Sequence, residues 1–280
     1  MALIEVNFIS KALLRTVSFR AILPLDKIPL DRKGTEAEKE KKTFKTLYLL
    51  HGGYGNDTDY ISGTRIQRWA EERNLAVIMP AGENHFYLDQ EDTQEYYGQF
   101  VGKELVEFTR QLFPLSEKRE DTFIAGLSMG GYGALVNGLK YADTFGAIGL
   151  FSAGVILEDI LEETDFIRRV GWKRPFWERV FGPKEALRGS DRDYYALLRK
   201  LQEEKKEIPQ IFIAIGTSDS LYKRNQEFKQ FLEEQQVSFT YREDEGGHEW
   251  DFWDRYIKEF LEWLPLEAKW QGLNSGNVRK

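Results

Sequence analysis

The chain has 280 residues, of which 41% are hydrophobic and 14% aromatic, enough to bury one sizeable core. Its formal net charge is -7, from 39 basic and 46 acidic residues, and no basic run stands beside alternating aromatics, which argues against nucleic acid as a partner. The absence of cysteine excludes a disulfide framework, a thiolate nucleophile and any cysteine-ligated metal site. At the N-terminus, Glu5 and Asn7 interrupt the apolar residues too early for a signal-peptide core, and no long uncharged stretch follows. A cytoplasmic protein with no membrane partner is therefore expected. Ile4, Val6 and Phe8, then Val17, Phe19 and Ala21, alternate with polar neighbours and predict two antiparallel strands opening a sheet. The almost wholly charged stretch from Asp31 to Lys42 predicts a solvated loop. Apolar runs of the length of buried parallel strands follow at Thr46 to Leu50, Leu75 to Met79, Thr122 to Ala125, Ala147 to Phe151 and Ile211 to Ile215. Helical spacing over 60–72, 100–112, 131–141 and 222–235 alternates with these runs, and Val237 to Tyr241 and Trp250 to Leu264 predict a last strand and a last helix. The pattern is that of an α/β fold with a mostly parallel, doubly wound sheet and helices on both faces. Residues 155–206 break the alternation. With Trp172, Phe176, Trp177 and Phe181 among many charges, they predict a helical excursion over the strand ends. A single domain over 1–270 and a frayed tail over 271–280 complete the expected organisation.

The strongest local signal is Gly126-Leu127-Ser128-Met129-Gly130-Gly131, placed directly after one apolar run and directly before a helical pattern. A serine at such a strand-to-helix turn is held in a strained conformation that exposes its hydroxyl, and the flanking glycines are needed because side chains there would collide with neighbouring elements. A serine hydroxyl is a poor nucleophile near neutral pH, so it needs a base within reach and an acid that orients the base. The chain has three histidines, His51, His85 and His248, and only His248 follows Ser128 in the serine, acid, histidine order of the α/β-hydrolase fold. It sits in a glycine turn between the last strand and the last helix. Asp219, in Gly216-Thr217-Ser218-Asp219 after the run ending at Ile215, is the expected acid, with capping of the following helix as its alternative role. Asp143, Asp191 and Asp193 lie in helical or polar stretches, and Asp244 stands so close to His248 that it reads as a turn cap. An oxyanion hole takes one amide from the residue after the nucleophile, Met129, and one from the glycine-rich loop His51-Gly52-Gly53-Tyr54-Gly55, where Gly53 is favoured and Tyr54 is the alternative. His51 reads as a brace for that loop. Neither glycine cluster has the spacing of a phosphate loop or a dinucleotide fingerprint, and His248-Glu249 lacks the second histidine of a zinc helix, so no cofactor and no metal are expected.

Taken together, Leu49-Leu50-His51-Gly52-Gly53-Tyr54-Gly55, the Ser128 turn extended through Tyr132-Gly133, Gly216-Thr217-Ser218-Asp219 and Gly246-Gly247-His248-Glu249-Trp250 resemble the putative esterase family. That family includes esterase D, S-formylglutathione hydrolase, tributyrin esterase and the feruloyl and acetyl-xylan esterases, and the resemblance is strongest to the bacterial tributyrin esterase branch. It spans about residues 45–265. The resemblance implies an α/β-hydrolase that cleaves short acyl esters of small molecules through a serine acyl-enzyme. Ser128, Asp219 and His248 match the family triad, and Gly53 and Met129 match its oxyanion amides. Residues 83–97 and 155–206 match no subfamily and leave the acyl and alcohol preference open. Tyr54, Phe86, Tyr96, Tyr97 and Trp250 are aromatics expected near the site, with Tyr54 and Trp250 assigned to substrate binding. They motivate a carbohydrate esterase of acetyl-xylan or feruloyl type as the second reading; acyl transfer and a non-catalytic binding scaffold are more distant alternatives. A homo-oligomer is compatible with the sequence.

Overall fold

The computed structural model of the chain describes residues 1–26 and 43–266. The charged stretch Asp31 to Lys42 and the tail 271–280 lie outside the described residues. Ten strands are present among those described: β1 (Ala2–Ser10), β2 (Arg15–Leu23), β3 (Thr46–Leu50), β4 (Ala76–Pro80), the short β5 (Asp89–Gln90) and β6 (Glu95–Tyr96), then β7 (Thr122–Leu127), β8 (Ala147–Phe151), β9 (Gln210–Gly216) and β10 (Phe239–Asp244). Eight of them form one sheet in the order β1-β2-β4-β3-β7-β8-β9-β10, while β5 and β6 pair as a separate hairpin. The first two strands pair antiparallel, as their alternation predicts, and β2 pairs antiparallel with β4. From β4 through β10 every pairing is parallel.

The parallel strands are apolar on both faces because both faces are covered. Tyr48, Leu50, Ile124 and Ile213 point into a core beneath the helix Met129–Lys140 and the helices of the 155–206 segment. Leu47, Leu49, Phe123 and Phe212 point the other way, toward the helices Ile66–Glu72 and Trp250–Trp263. In register, Leu50 faces Gly126, Leu127 faces Phe151, and Phe151 faces Ala214, so the strands end nearly flush. Turns leaving β3, β7, β8, β9 and β10 thus emerge along one edge, where ligands collect in open α/β sheets.

Two expected helices differ in detail. The 60–72 pattern is broken into Asp59–Gly63 and Ile66–Glu72, because Thr64 turns extended, donates its hydroxyl to the Tyr60 carbonyl and accepts the Ile66 amide. The break lets Gly63 lie flat on the Trp250 indole, which a Cβ would meet at 2.4 Å. The 100–112 helix starts as a π-turn over Phe100–Glu104 before becoming α-helical at Leu105. The 155–206 segment folds as helices Leu157–Glu162, Asp165–Arg169, Arg174–Phe181 and Tyr194–Glu203, the last capped by the Asp193 carboxylate. The partly buried pair Arg224 to Asp159, at 2.8 Å, ties this segment to the helix Tyr222–Glu234. Among the described residues no helix is long and apolar enough to cross a membrane.

Candidate active site

Ser128 sits between β7 and the helix Met129–Lys140 with φ 52 and ψ -118, a left-handed conformation that costs a residue with a side chain about 1 to 3 kcal/mol. Main-chain hydrogen bonds hold it there: its amide donates to the Phe151 carbonyl at 3.0 Å, and its carbonyl accepts from Gly154 at 2.8 Å and Tyr132 at 3.1 Å. The glycines on either side are required by contact. A Cβ on Gly126 would stand 2.3 Å from the Gly130 carbonyl, and one on Gly130 would stand 2.2 Å from the Leu50 oxygen and 2.5 Å from that of His51. All of these obstacles are backbone, which cannot give way.

His248 reaches the serine from the far end of the sheet. Its Nε2 lies 3.0 Å from Ser128 Oγ and its Nδ1 lies 2.9 Å from Asp219 Oδ2. The second Asp219 oxygen accepts the Leu221 amide at 2.8 Å and so holds the turn before the helix Tyr222–Glu234; it does not cap that helix, whose N-cap is Leu221. Burial pushes the Asp219 carboxyl up, but the hydrogen bond and charge of His248, the Leu221 amide and the Ser152 hydroxyl together outweigh it and hold the carboxyl below the usual range. An ionised Asp219 accepts from Nδ1–H, which leaves Nε2 as the acceptor for the serine proton. The loop carrying His248 is pressed against the loop carrying Asp219. Ser218 donates to the Gly246 carbonyl at 3.0 Å, and a Cβ on Gly216 would come within 2.2 Å of that oxygen. The Trp253 ring stands perpendicular to the His248 ring at 5.0 Å, and its indole N–H donates to Ser152. The other acids are engaged elsewhere: Asp191 pairs with Lys140, Asp193 caps a helix, and Asp244 binds the Glu245 amide and Arg255.

A cavity of about 440 Å3 opens over Ser128 and His248, and Gly53, Tyr54, Met129 and Trp250 all line it. Met129 is the first residue of its helix, so its amide has no acceptor within the helix. The Tyr54 amide donates to Asn84 Oδ1 at 2.8 Å, so of the two loop amides expected to meet an oxyanion this one already has an acceptor. His51 braces the loop as expected. Its Nε2 accepts the Gly82 amide at 2.8 Å, so Nδ1 carries the proton and donates to the Gly52 carbonyl at 2.7 Å. Burial pushes this imidazole's pKa down, and both its nitrogens are committed.

The aromatic expectation needs correction at two positions. Phe86, Tyr54 and Trp250 line the cavity, but Tyr96 and Tyr97 do not. Tyr97 is fully buried, stacked on His85 at 4.5 Å and hydrogen-bonded to Arg15, and Tyr96 belongs to the β5–β6 hairpin. Their places are taken by Trp172 and Trp177 from the 155–206 segment, with Ile156 and Phe166 beside them. The cluster of aromatics in that segment was the available signal, but its spacing does not tell which rings face the serine.

A hydroxyl hydrogen-bonded to an imidazole, itself hydrogen-bonded to a buried carboxylate, is the arrangement that acyl transfer needs. The comparisons with known proteins point the same way. The family model described as putative esterase matches residues 32–264. An acetyl esterase of Caldicellulosiruptor saccharolyticus is 46% identical over 264 residues, covering 94% of this chain and 98% of that protein. Among solved structures, the fluorophosphonate-binding serine hydrolase F of Staphylococcus aureus, with substrate bound, superposes with a TM-score of 0.81 at 33% identity, covering 94% of this chain and 98% of its own. The S-formylglutathione hydrolase of the same organism gives 0.80 at 32% identity, with the same coverage. A sheet of this order, a serine at this turn and relatives of this kind together mean that the chain belongs to the putative esterase family and is a serine carboxylic ester hydrolase of the α/β-hydrolase fold.

Proposed function

We propose that the protein hydrolyses short-chain acyl esters of small molecules through an acyl-enzyme on Ser128. The observation that carries this reading is the unbroken run of hydrogen bonds from Asp219 through His248 to Ser128, ending in a cavity that the Gly53 and Met129 loops also line. Ser128 Oγ attacks the ester carbonyl carbon while its proton passes to His248 Nε2. Asp219 holds the ring and stabilises the imidazolium that forms. The Gly53 and Met129 amides take the negative oxygen of the tetrahedral intermediate, and collapse expels the alcohol, which receives the proton from His248. Water then attacks the acyl-serine with His248 as base, releasing the acid and restoring the hydroxyl. The likeness to an acetyl esterase supports the short acyl group. The cytoplasm is the compartment that accompanies this reading.

Hydrolysis of p-nitrophenyl acetate, butyrate and octanoate, run beside fluorophosphonate labelling, tests it. Fast turnover of the two shorter esters with labelling, both abolished in Ser128→Ala, is the expected result. A folded wild type that neither turns over nor labels would remove Ser128 from its role. A second reading, a carbohydrate esterase, is favoured by the exposed Tyr54 ring tilted against Trp172 at 4.9 Å on the cavity wall, a surface on which a sugar or aromatic acid would stack. Turnover of acetylated or feruloylated oligosaccharides far above that of butyrate would decide for it.

A further inference from the structure

Beside the catalytic cavity lies a larger one of about 740 Å3, built wholly from the 155–206 segment. Its lining combines Ile160, Ile167 and Pro183 with charged residues that pair among themselves, Arg174 with Glu178 and Lys184 with Glu163, each at 2.6 Å. Trp172 and Trp177 are the two residues lining both cavities. Between them they form the partition.

Trp172 is wedged in place. It stacks on Phe176 at 4.6 Å, lies tilted against Tyr54 at 4.9 Å, and meets Phe86 at 5.7 Å and Trp177 at 5.4 Å near right angles. Its six-membered ring rests directly on Gly53, where a Cβ would come within 2.8 Å of Cη2. The chain leading into it is tied to the same loop, since the Tyr54 hydroxyl donates to the Val170 carbonyl at 2.7 Å, and the Trp177 indole N–H donates to the Trp172 carbonyl at 3.2 Å. One indole therefore touches the residue expected to supply an oxyanion amide and at the same time forms, with Trp177, the wall that the two cavities share.

We propose that Trp172 is the residue that limits acyl-chain length, and that the larger cavity is a subsite, apolar along Ile160, Ile167 and Pro183 and rimmed by charged side chains, which a longer acyl chain enters once the indole is removed. This rests on the esterase reading of Ser128. A chain that continues past the partition exchanges water for the Ile160, Ile167 and Pro183 side of that cavity, and even a single accommodated methylene changes discrimination roughly tenfold or more. Trp172→Ala and Trp172→Phe, compared with wild type in the full chain, should read this as kcat/KM for p-nitrophenyl acetate, butyrate and octanoate. The octanoate-to-acetate ratio is expected to rise at least about tenfold in Trp172→Ala and by less in Trp172→Phe. Adding Ile167→Trp to Trp172→Ala should bring the ratio back down by filling the subsite. An unchanged ratio in the folded alanine variant overturns the proposal, and if that variant does not fold, an unchanged ratio in Trp172→Phe does so. Should the wild type be inert to all three esters, the catalytic reading falls. The partition is then read by calorimetric binding of sodium octanoate, where tighter binding to the variant supports it and equal affinity overturns it.

Discussion

The edge of the sheet and the 155–206 segment meet over the same cavity but are held by different forces. Along the sheet edge, backbone presses on backbone: Gly126 on Gly130, Gly130 on Leu50 and His51, Gly216 on Gly246. Within the segment, ring packs on ring and charged side chains pair at the surface, and Gly189 has nothing within 4 Å of where a Cβ would stand. Main-chain contacts leave the reacting groups no freedom to drift. Side-chain contacts can be exchanged one at a time. The triad is thus anchored by backbone contacts that a side chain cannot enter, while the cavity wall contributed by the 155–206 segment is held by side-chain contacts.

The sharpest way to break this division is at the triad. Asp219→Asn puts an N–H donor where His248 Nδ1–H now donates, which turns the imidazole to its other tautomer and leaves Nε2 unable to take the serine proton. Turnover is expected to fall by about four orders of magnitude, in step-by-step kinetics of p-nitrophenyl acetate, with the fold retained by circular dichroism. Next come the glycines. Gly130→Ala forces a methyl against two carbonyl oxygens and should cost about 3 kcal/mol or more in urea unfolding, whereas Gly189→Ala, strained only by its φ of 76, should cost about 1 to 2 kcal/mol. Equal losses would erase the contrast between the two regions. A smaller effect follows from acid. Folding holds the Asp219 carboxyl below its usual range, so its charge stabilises the folded state above the unfolded value, and that contribution is lost as the pH falls through the lower folded value. Urea midpoints of wild type and Asp219→Asn should therefore differ most near neutrality and converge as the pH drops below about 4. Smallest of all is Lys184→Ala, which removes a solvent-exposed ion pair and should leave the urea midpoint unmoved.

What could be read from the sequence follows the same division. Thr46–Leu50 and Ala147–Phe151 were legible to the residue, because a strand covered on both faces must be apolar throughout. The Ser128, Asp219 and His248 turns were legible because close backbone approach leaves glycine as the residue that fits, and glycine clusters stand out in a sequence. The pocket wall was not. Whether Tyr97 or Trp172 faces the serine depends on how a hairpin and a helical excursion fold back over the sheet, and both rings read alike as aromatic residues in a polar stretch. The break at Thr64 was hidden for a related reason. It brings Gly63 onto the flat face of Trp250, far along the chain, and no local periodicity records that contact.

The left-handed backbone at Ser128 also bears on how such a protein can change over generations. A glycine at 128 would relieve the strain of that turn and lose the hydroxyl, giving a sturdier but inert molecule. The serine is therefore held in a backbone conformation that a glycine would adopt without strain. A copy released from selection for turnover would be expected to give up this serine early, since glycine fits that backbone without strain.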